Sequence, residues 1–402
     1  ISTSISSNID KSIFEEMEVL IMLNEKEKAI IKETVPVLQE RGVEITSFFY
    51  NRMFTQHPEL KNMFNQTNQK KGLQSTALAQ SVLAAAMNID DLTRILPVVK
   101  EIAFKHCALQ VPPAGYDIVG ENLLAAIQNV LKLSDDDAIL DTWAKAYGEI
   151  AKVFIEVEKD IYKTMAWDGF QAFVIKNIET VATDIKAFTV KSDEIDMSKF
   201  KPGQYVTVDV KSASLPYRAK RHYSIVEGDS ETLTFAVKHD VTTTHEGEVS
   251  TILHSEYKEG DTIQLSAPVG PFSVVNSESP QLFIGSGIGV TPLIPMFNQV
   301  AKSEAPIQFI QNIINDTDIP FSNKLEAIAE SKENNDYIIY DKHKMGYMDA
   351  SYLNQFITKD TEIYVCGGVN FLQSIITTLK EMEVDETKIH FESFIPKLSV
   401  GV

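Results

Sequence analysis

Between Glu25 and Met165 apolar residues recur at helical spacing, glycine is sparse, and breaks such as His57-Pro58 and Val111-Pro112-Pro113 separate the runs. The pattern predicts an all-helical domain. After Trp167-Asp168-Gly169-Phe170 the period changes to two: Val206, Val208 and Val210 share one face of a strand, as do Leu233, Phe235 and Val237. A strand-rich domain is expected there. From Gln281 onward short apolar strands alternate with helices, with strands at Leu282-Phe283-Ile284, 307–310 and Ile363-Tyr364-Val365 and helices at 292–301 and 371–382. This is the rhythm of a parallel, nucleotide-binding sheet. The expected divisions are a poorly anchored leader over residues 1–22, a helical domain over 23–166, a strand-rich domain over 167–277 and an α/β domain over 278–402.

Composition narrows the chemistry. With 402 residues and 44% apolar content, the chain has enough material for two or three cores, each able to enclose a large cofactor. The formal net charge of -19 argues against nucleic acid or an anionic lipid surface, both of which call for clustered Lys and Arg. Only two cysteines occur, Cys107 and Cys366, too few for a disulfide framework or a thiolate zinc site and suited to the cytosol. No apolar run approaches the length of a membrane span, and residues 1–10 lack the basic start and apolar middle of a secretory signal.

In the helical region Ile95, Val99, Ile102, His106 and Leu109 are spaced as one apolar stripe, which carries a histidine toward the core. From this helix alone, a core imidazole satisfied by a carbonyl is the commoner reading, ahead of a metal ligand. A second stripe, Tyr147, Ala151, Phe154, Glu158 and Ile161, places a carboxylate where burial is costly unless it is partnered. An imidazole N–H is a suitable partner, since a metal-bound histidine normally passes its other N–H to a carboxylate or carbonyl. A stripe drifting by one position would instead leave Glu158 at the surface. Tyr50 by itself says little, since an aromatic in Val43, Ser47, Tyr50, Phe54 spacing is more often plain core.

The segments Phe48-Phe49-Tyr50-Asn51-Arg52-Met53-Phe54, His57-Pro58-Glu59-Leu60 and Phe64-Asn65-Gln66-Thr67-Asn68-Gln69, with Lys105-His106, Tyr116-Asp117-Ile118-Val119-Gly120-Glu121 and Trp143-Ala144-Lys145-Ala146-Tyr147, resemble the flavohaemoglobin family of yeast and bacteria. The resemblance runs from about Glu25 to the C-terminus. It implies an all-α globin, then an antiparallel β-barrel FAD domain, then an α/β parallel-sheet NAD domain of the ferredoxin-reductase kind. It implies haem b with His106 as proximal iron ligand, Tyr116 and Glu158 as a relay behind it, and Phe64 against the porphyrin. Tyr50, Gln74 and Leu78 would line the distal pocket, and Lys105 would lie between the haem and flavin sites.

Lys201-Pro202-Gly203-Gln204-Tyr205 and Arg221-His222-Tyr223-Ser224 look like the two flavin signatures of the reductase superfamily. A guanidinium suits a phosphate, an aromatic ring covers an isoalloxazine, and a hydroxyl can bond the flavin's reactive edge. An ordinary strand with an exposed Arg and a half-buried Tyr accounts for the four-residue match as well. Gly247-Glu248-Val249-Ser250 adds a turn and helix start that, by the resemblance, approach the FAD phosphates. The preceding stretch from Val241 to Glu246 departs from the family's glycine pair, and Pro271 stands where the family usually has Asp.

Leu282-Phe283-Ile284 runs into Gly285-Ser286-Gly287-Ile288-Gly289-Val290-Thr291-Pro292, a strand, a glycine-rich turn and a proline fit for the first turn of a helix. A plain tight turn would look the same in isolation. Its counterpart, Cys366-Gly367-Gly368-Val369, follows a second strand and, by the resemblance, sits near the nicotinamide. The terminal Phe391-Glu392-Ser393-Phe394-Ile395-Pro396 resembles the family's last segment, in which Phe394 would shield the flavin and Glu392 would bond nearby; Ile395 replaces the usual Gly. Between Lys302 and Lys324 there is no Lys or Arg, and Asp316 and Asp318 carry the wrong charge for an extra ribose phosphate, so NADH is expected to be preferred to NADPH. The resemblance implies conversion of nitric oxide and O2 to nitrate, and a monomer is expected. The rivals are an oxygen carrier or gas sensor, and a nitric oxide reductase or general NADH diaphorase.

Overall fold

The computed structural model describes residues 23–242, 245–314 and 318–395. The expected leader over residues 1–22, Asp316 and Pro396 lie outside these described residues. The chain divides into two compact units, one running up to Met165 with Ala213–Ala219, the other holding Ala166–Ser212 and everything from Lys220 onward.

The first unit is helical: α1 (Glu25–Glu33), α2 (Val35–Gln56), α3 (Gln66–Lys70), α4 (Leu73–Met87), α5 (Leu96–Leu109), α6 (Gly115–Leu131) and α7 (Ala138–Thr164). Local chemistry sets the ends. Asn24 and Glu27 close a capping box at the start of α1, with bonds of 3.0 and 2.7 Å. Asp137 accepts from the Ile139 amide to start α7. Gln110, in the left-handed region at φ 61°, ends α5. One helix departs from its expected pattern: the fully buried face of α5 is Leu96, Val99, Ala103, Cys107 and Ala108. Ile95, Ile102, His106 and Leu109 lie beside that face and are only half-buried. The small residues face α7, where the Cys107 thiol meets the Glu158 carbonyl at 3.5 Å, and the His106 side of α5 is less covered by protein.

The second unit contains a closed barrel of order β1-β2-β5-β4-β3-β8, made from β1 (Phe170–Ala182), β2 (Ile185–Lys191), β3 (Tyr205–Val210), β4 (Ala219–Gly228), β5 (Thr232–Lys238) and β8 (Thr262–Ser266). The short pair β6 (Val241–Thr242) and β7 (His245–Glu246) precedes α8 (Glu248–Ser255). β1 pairs with β2 and β8, β5 with β2 and β4, and β3 with β8, all antiparallel. Val206, Val208 and Val210 share one face of β3, and both faces of this strand are buried. Val206 and Val208 are fully buried, while Thr207 on the opposite face is covered by partners of its own.

The same unit carries a five-stranded sheet of order β11-β10-β9-β12-β13, built from β9 (Gln281–Ser286), β10 (Ile307–Ile313), β11 (Asn335–Asp341), β12 (Glu362–Cys366) and β13 (Ile389–Glu392). All four pairings are parallel. The helices α9 (Val290–Val300), α10 (Ser322–Ala329) and α11 (Val369–Glu381) connect and cover the strands. From β9 the chain builds outward to β10 and β11, then returns to lay β12 on the other side. A crevice therefore opens between the carboxyl ends of β9 and β12, where such sheets bind ligands. Phe283, Phe297, Phe309 and Tyr364 form the aromatic centre of one core, and barrel residues Ile185, Ala187 and Val226 pack into it.

Candidate functional site

In the helical unit, α5 carries His106, α6 carries Tyr116 and α7 carries Glu158 to one point. Glu158 is 3% exposed, so its carboxylate requires partners. Tyr116 donates its hydroxyl to Glu158 Oε1 at 2.5 Å. His106 Nδ1 lies 2.8 Å from the same oxygen and 2.9 Å from the Tyr116 hydroxyl. A carboxylate only accepts, and the Tyr116 proton is already committed to it. Nδ1 must therefore be the protonated nitrogen, its hydrogen shared between two oxygens. Nε2 then holds the ring's free lone pair, the form of imidazole that binds a metal. The relay is itself braced, because Tyr147 donates to the Tyr116 carbonyl at 2.6 Å. Burial, with the Glu158 charge second, pushes the Tyr116 phenol well above its ordinary range, so it stays a donor.

The side of His106 away from the closed core is apolar yet incompletely covered. Ile102, Leu109 and Phe154 are half-buried there, and α4, although rich in Leu and Ala, fully buries only Ser75, Ala79, Ala85 and Ala86. A free imidazole nitrogen beside apolar side chains that find little protein cover fits a planar, apolar iron carrier such as haem. Phe64, Gln74, Leu78 and Lys105 are half-buried in this region of the chain. Tyr50 is buried, but not on the stripe expected from sequence: Val43 and Ser47 face solvent, and Tyr50 belongs to the inner face with Thr46, Phe49 and Met53. Its ring meets Phe64 edge-on at 5.9 Å. Burial raises the Tyr50 phenol above its ordinary range, opposed by a hydrogen bond with Gln69. Gln69 in turn donates to Gln74 Oε1 at 2.8 Å. Sequence reasoning missed Gln69, because only the fold of α3 against α4 brings it to Gln74.

In the barrel, Tyr205 and His222 pack with ring centroids 4.9 Å apart, and His222 Nδ1 is 2.8 Å from Thr207 Oγ1. Tyr223 stacks on Phe235 at 5.7 Å, and Ser224 is buried beside it. Arg221 reaches within 3.9 Å of Glu248 at the start of α8. No side chain caps that helix start, and Gly247 occupies its N-cap with Val249 and Ser250 buried in the first turn. A guanidinium beside an uncapped helix start suits a phosphate group. Gly203 shows why its motif needs glycine: its φ is +98°, and a Cβ there would lie 2.1 Å from the Phe272 carbonyl oxygen.

At the crevice of the parallel sheet, Gly287, Ile288 and Gly289 form a 3₁₀ turn that enters α9 at Val290, Thr291 and Pro292. Gly289 allows the two strand-to-helix turns to meet, since a Cβ would sit 2.3 Å from the Cys366 carbonyl oxygen and 2.6 Å from Gly367. Neither α9 nor α11 has a side-chain cap at its start, which leaves two helix N-termini over the crevice, as a pyrophosphate requires. Asn312, also missed by sequence, donates to Ser286 Oγ at 3.1 Å from the end of β10. Asp318 accepts from the Thr183 amide at 2.8 Å, so its carboxylate serves a backbone contact to the barrel. Glu392 ends β13, Ser393 is buried, Phe394 is 47% exposed, and Ile395 is half-buried.

The chain matches the Globin family over residues 47–154 and the Oxidoreductase NAD-binding domain family over residues 283–376. A flavohaemoprotein of Halalkalibacterium halodurans is 38% identical over 399 residues, covering 93% of this chain and 97% of that protein. This chain belongs to the flavohaemoprotein family. The Bacillus subtilis flavohaemoprotein is likewise 38% identical, covering 94% of this chain and 99% of its own length. The fold of this flavohaemoprotein is shared with a crystal structure of flavohaemoglobin from Malassezia yamatoensis with bound FAD and haem, at a TM-score of 0.84 and 24% identity, covering 92% of this chain and 99% of that one. The protein is an oxidoreductase whose cofactors are haem, FAD and NAD(H). Among the described residues no helix is long and apolar enough to cross a membrane.

Proposed function

We propose that this flavohaemoprotein is a nitric oxide dioxygenase, which converts two nitric oxide and two dioxygen molecules to two nitrates for each NAD(P)H oxidised. The reading rests first on the triad of His106, Glu158 and Tyr116. A buried carboxylate drawing on the Nδ1 proton makes Nε2 more electron-rich, which favours charge flow toward a ligand on the far side of an iron. Haem, when bound, supplies that iron, and FAD supplies the exchange of a hydride for single electrons.

On the proposed assignments, residues 23–166 hold haem through His106, with Phe64, Leu78 and Lys105 beside it and Tyr50 and Gln74 on the distal side. Residues 167–277 hold FAD through Tyr205, Arg221, His222, Tyr223, Ser224, Gly247, Val249 and Ser250. Residues 278–402 hold the nicotinamide nucleotide through the turn from Gly287 to Pro292 and through Cys366 and Gly367, with Glu392 to Pro396 near the flavin. NADH is the preferred donor. One chain furnishes each set, so a monomer suffices, and two buried free thiols suit the cytosol. The test is nitric oxide consumption by the full-length protein with NADH: it should require oxygen and yield nitrate. Oxygen-independent loss to nitrous oxide would mark a reductase, and binding without turnover a carrier or sensor.

A further inference from the structure

β13 ends the parallel sheet beside β12 and is only four residues long. So short an edge strand needs more than its backbone to fix its register. One face of the pair is apolar, and there Ile389 and Phe391 pack on the core that holds Ile363 and Val365. The other face is a ladder of polar and aromatic groups. Glu362, 3% exposed, accepts from Lys388 Nζ at 2.5 Å through Oε1 and from His390 Nε2 at 2.8 Å through Oε2. The His390 ring stacks on Tyr364 with centroids 4.9 Å apart, and Cys366 is paired with Glu392 at the crevice.

A slip of β13 by one residue would turn its apolar face outward and set Ile389 against the Glu362 carboxylate. A slip by two keeps the alternation, so apolar burial does not forbid it. Charge does. The alternate positions read Glu386, Lys388, His390 and Glu392, so a slip by two in either direction brings Glu386 or Glu392 to Glu362 in place of a donor. A buried carboxylate would then face a second one. We propose that Glu362 is a positioning residue that sets the register of β13 and, through it, the height of Glu392, Ser393 and Phe394 at the crevice. Two residues of slip would move that segment about 6.5 Å along the strand. Glu362 begins β12 and Cys366 ends it, so Glu362 acts on the crevice only through the strands. The proposal rests on the reading of Glu392 to Phe394 as the segment beside the flavin.

The test compares Glu362→Gln, Glu362→Lys and, as a variant that keeps the pair, Lys388→Arg, with Phe394→Ala as reference, all in the full-length protein loaded with haem and FAD. Hydrogen exchange at residues 389–392 reads the pairing of β13, and the KM for NADH in ferricyanide reduction reads the cover over the flavin. A Phe394 that covers the flavin must be displaced by nicotinamide, so Phe394→Ala should lower the KM about threefold or more. Glu362→Gln should speed exchange in β13 about tenfold while β9 and β10 keep their protection, and should lower the KM in the same direction. Glu362→Lys, drawn toward Glu386 and Glu392, should do both more strongly, and Lys388→Arg should match the parent. If both Glu362 variants match the parent while Phe394→Ala lowers the KM, or if they loosen the whole sheet and leave the KM unchanged, the ion pairs only hold the fold and the proposal fails with the flavin reading intact. If Phe394→Ala leaves the KM unchanged, the flavin reading fails and takes the proposal with it.

Discussion

A lone carboxylate costs several kcal/mol to bury, and Glu158 is buried at the meeting point of three helices. It is tolerable because a phenol and an imidazole both direct hydrogens at one of its oxygens. The same bonds choose the histidine tautomer, so a burial problem and a metal ligand have one solution. Replacing His106 by Ala removes the only nitrogen aimed at the haem side of this triad. Haem retention should weaken by more than about tenfold, by comparison with losses seen for supporting residues alone. Flavin content should stay near the parent value, since Arg221 and Tyr223 lie in the other compact unit. Absorption spectra of the purified variant read both cofactors together, and an unchanged haem band would remove His106 from the proximal role.

Among elements, the turn after β9 and the end of α8 each carry a single change with a measurable outcome. Gly289→Ala puts a methyl group where the Cys366 carbonyl oxygen lies 2.3 Å away, so one of the two turns must move. Overpacking of this kind costs about 1–3 kcal/mol, and if it falls on nucleotide binding the KM for NADH rises about fivefold or more. Reduction of ferricyanide by NADH checks this, with haem and FAD content as controls. At the end of α8, His254 donates through Nε2 to the Val237 carbonyl at 2.8 Å and stacks on His239 at 5.0 Å. Burial first, offset by that bond, with His239 and Lys186 adding repulsion, lowers its pKa below the ordinary 6.5. Above 6.5 it is neutral in both states; as pH falls below it, the unfolded chain takes the proton first and stability is lost toward the lower folded value. Melting temperature should therefore decline less steeply between pH 7 and 5 in His254→Gln than in the parent. Equal slopes would show that His254 does not contribute.

These elements also show how much was legible beforehand. The strand-turn-helix at Gly285 to Pro292 is visible because glycine and proline act locally, and the structure places β9 and α9 there. The apolar stripe with His106 on α5 is legible in the spacing, but that Ala103 and Cys107 are the fully buried residues while Ile102, His106 and Leu109 are half-buried depends on which helices pack against α5. The bond of Gln69 to Gln74, and the approach of Gly289 to Cys366, depend on chain segments that sequence spacing does not relate. Local grammar predicts elements; contacts across elements need the fold.

For the molecule as a whole, the order of domains encodes a circuit in which a two-electron donor serves a one-electron acceptor through a flavin. A carrier needs the helical unit alone, and a nitric oxide reductase has no use for oxygen. The account's central claim is therefore tested by following nitric oxide with an electrode in the intact, haem- and FAD-loaded protein with NADH, first in air-saturated buffer and then after oxygen is removed. It predicts rapid loss in air, nitrate in equal amount, one NADH oxidised per two nitric oxide molecules, and near abolition of turnover without oxygen. An anaerobic rate equal to the aerobic one, with nitrous oxide as product, would contradict it.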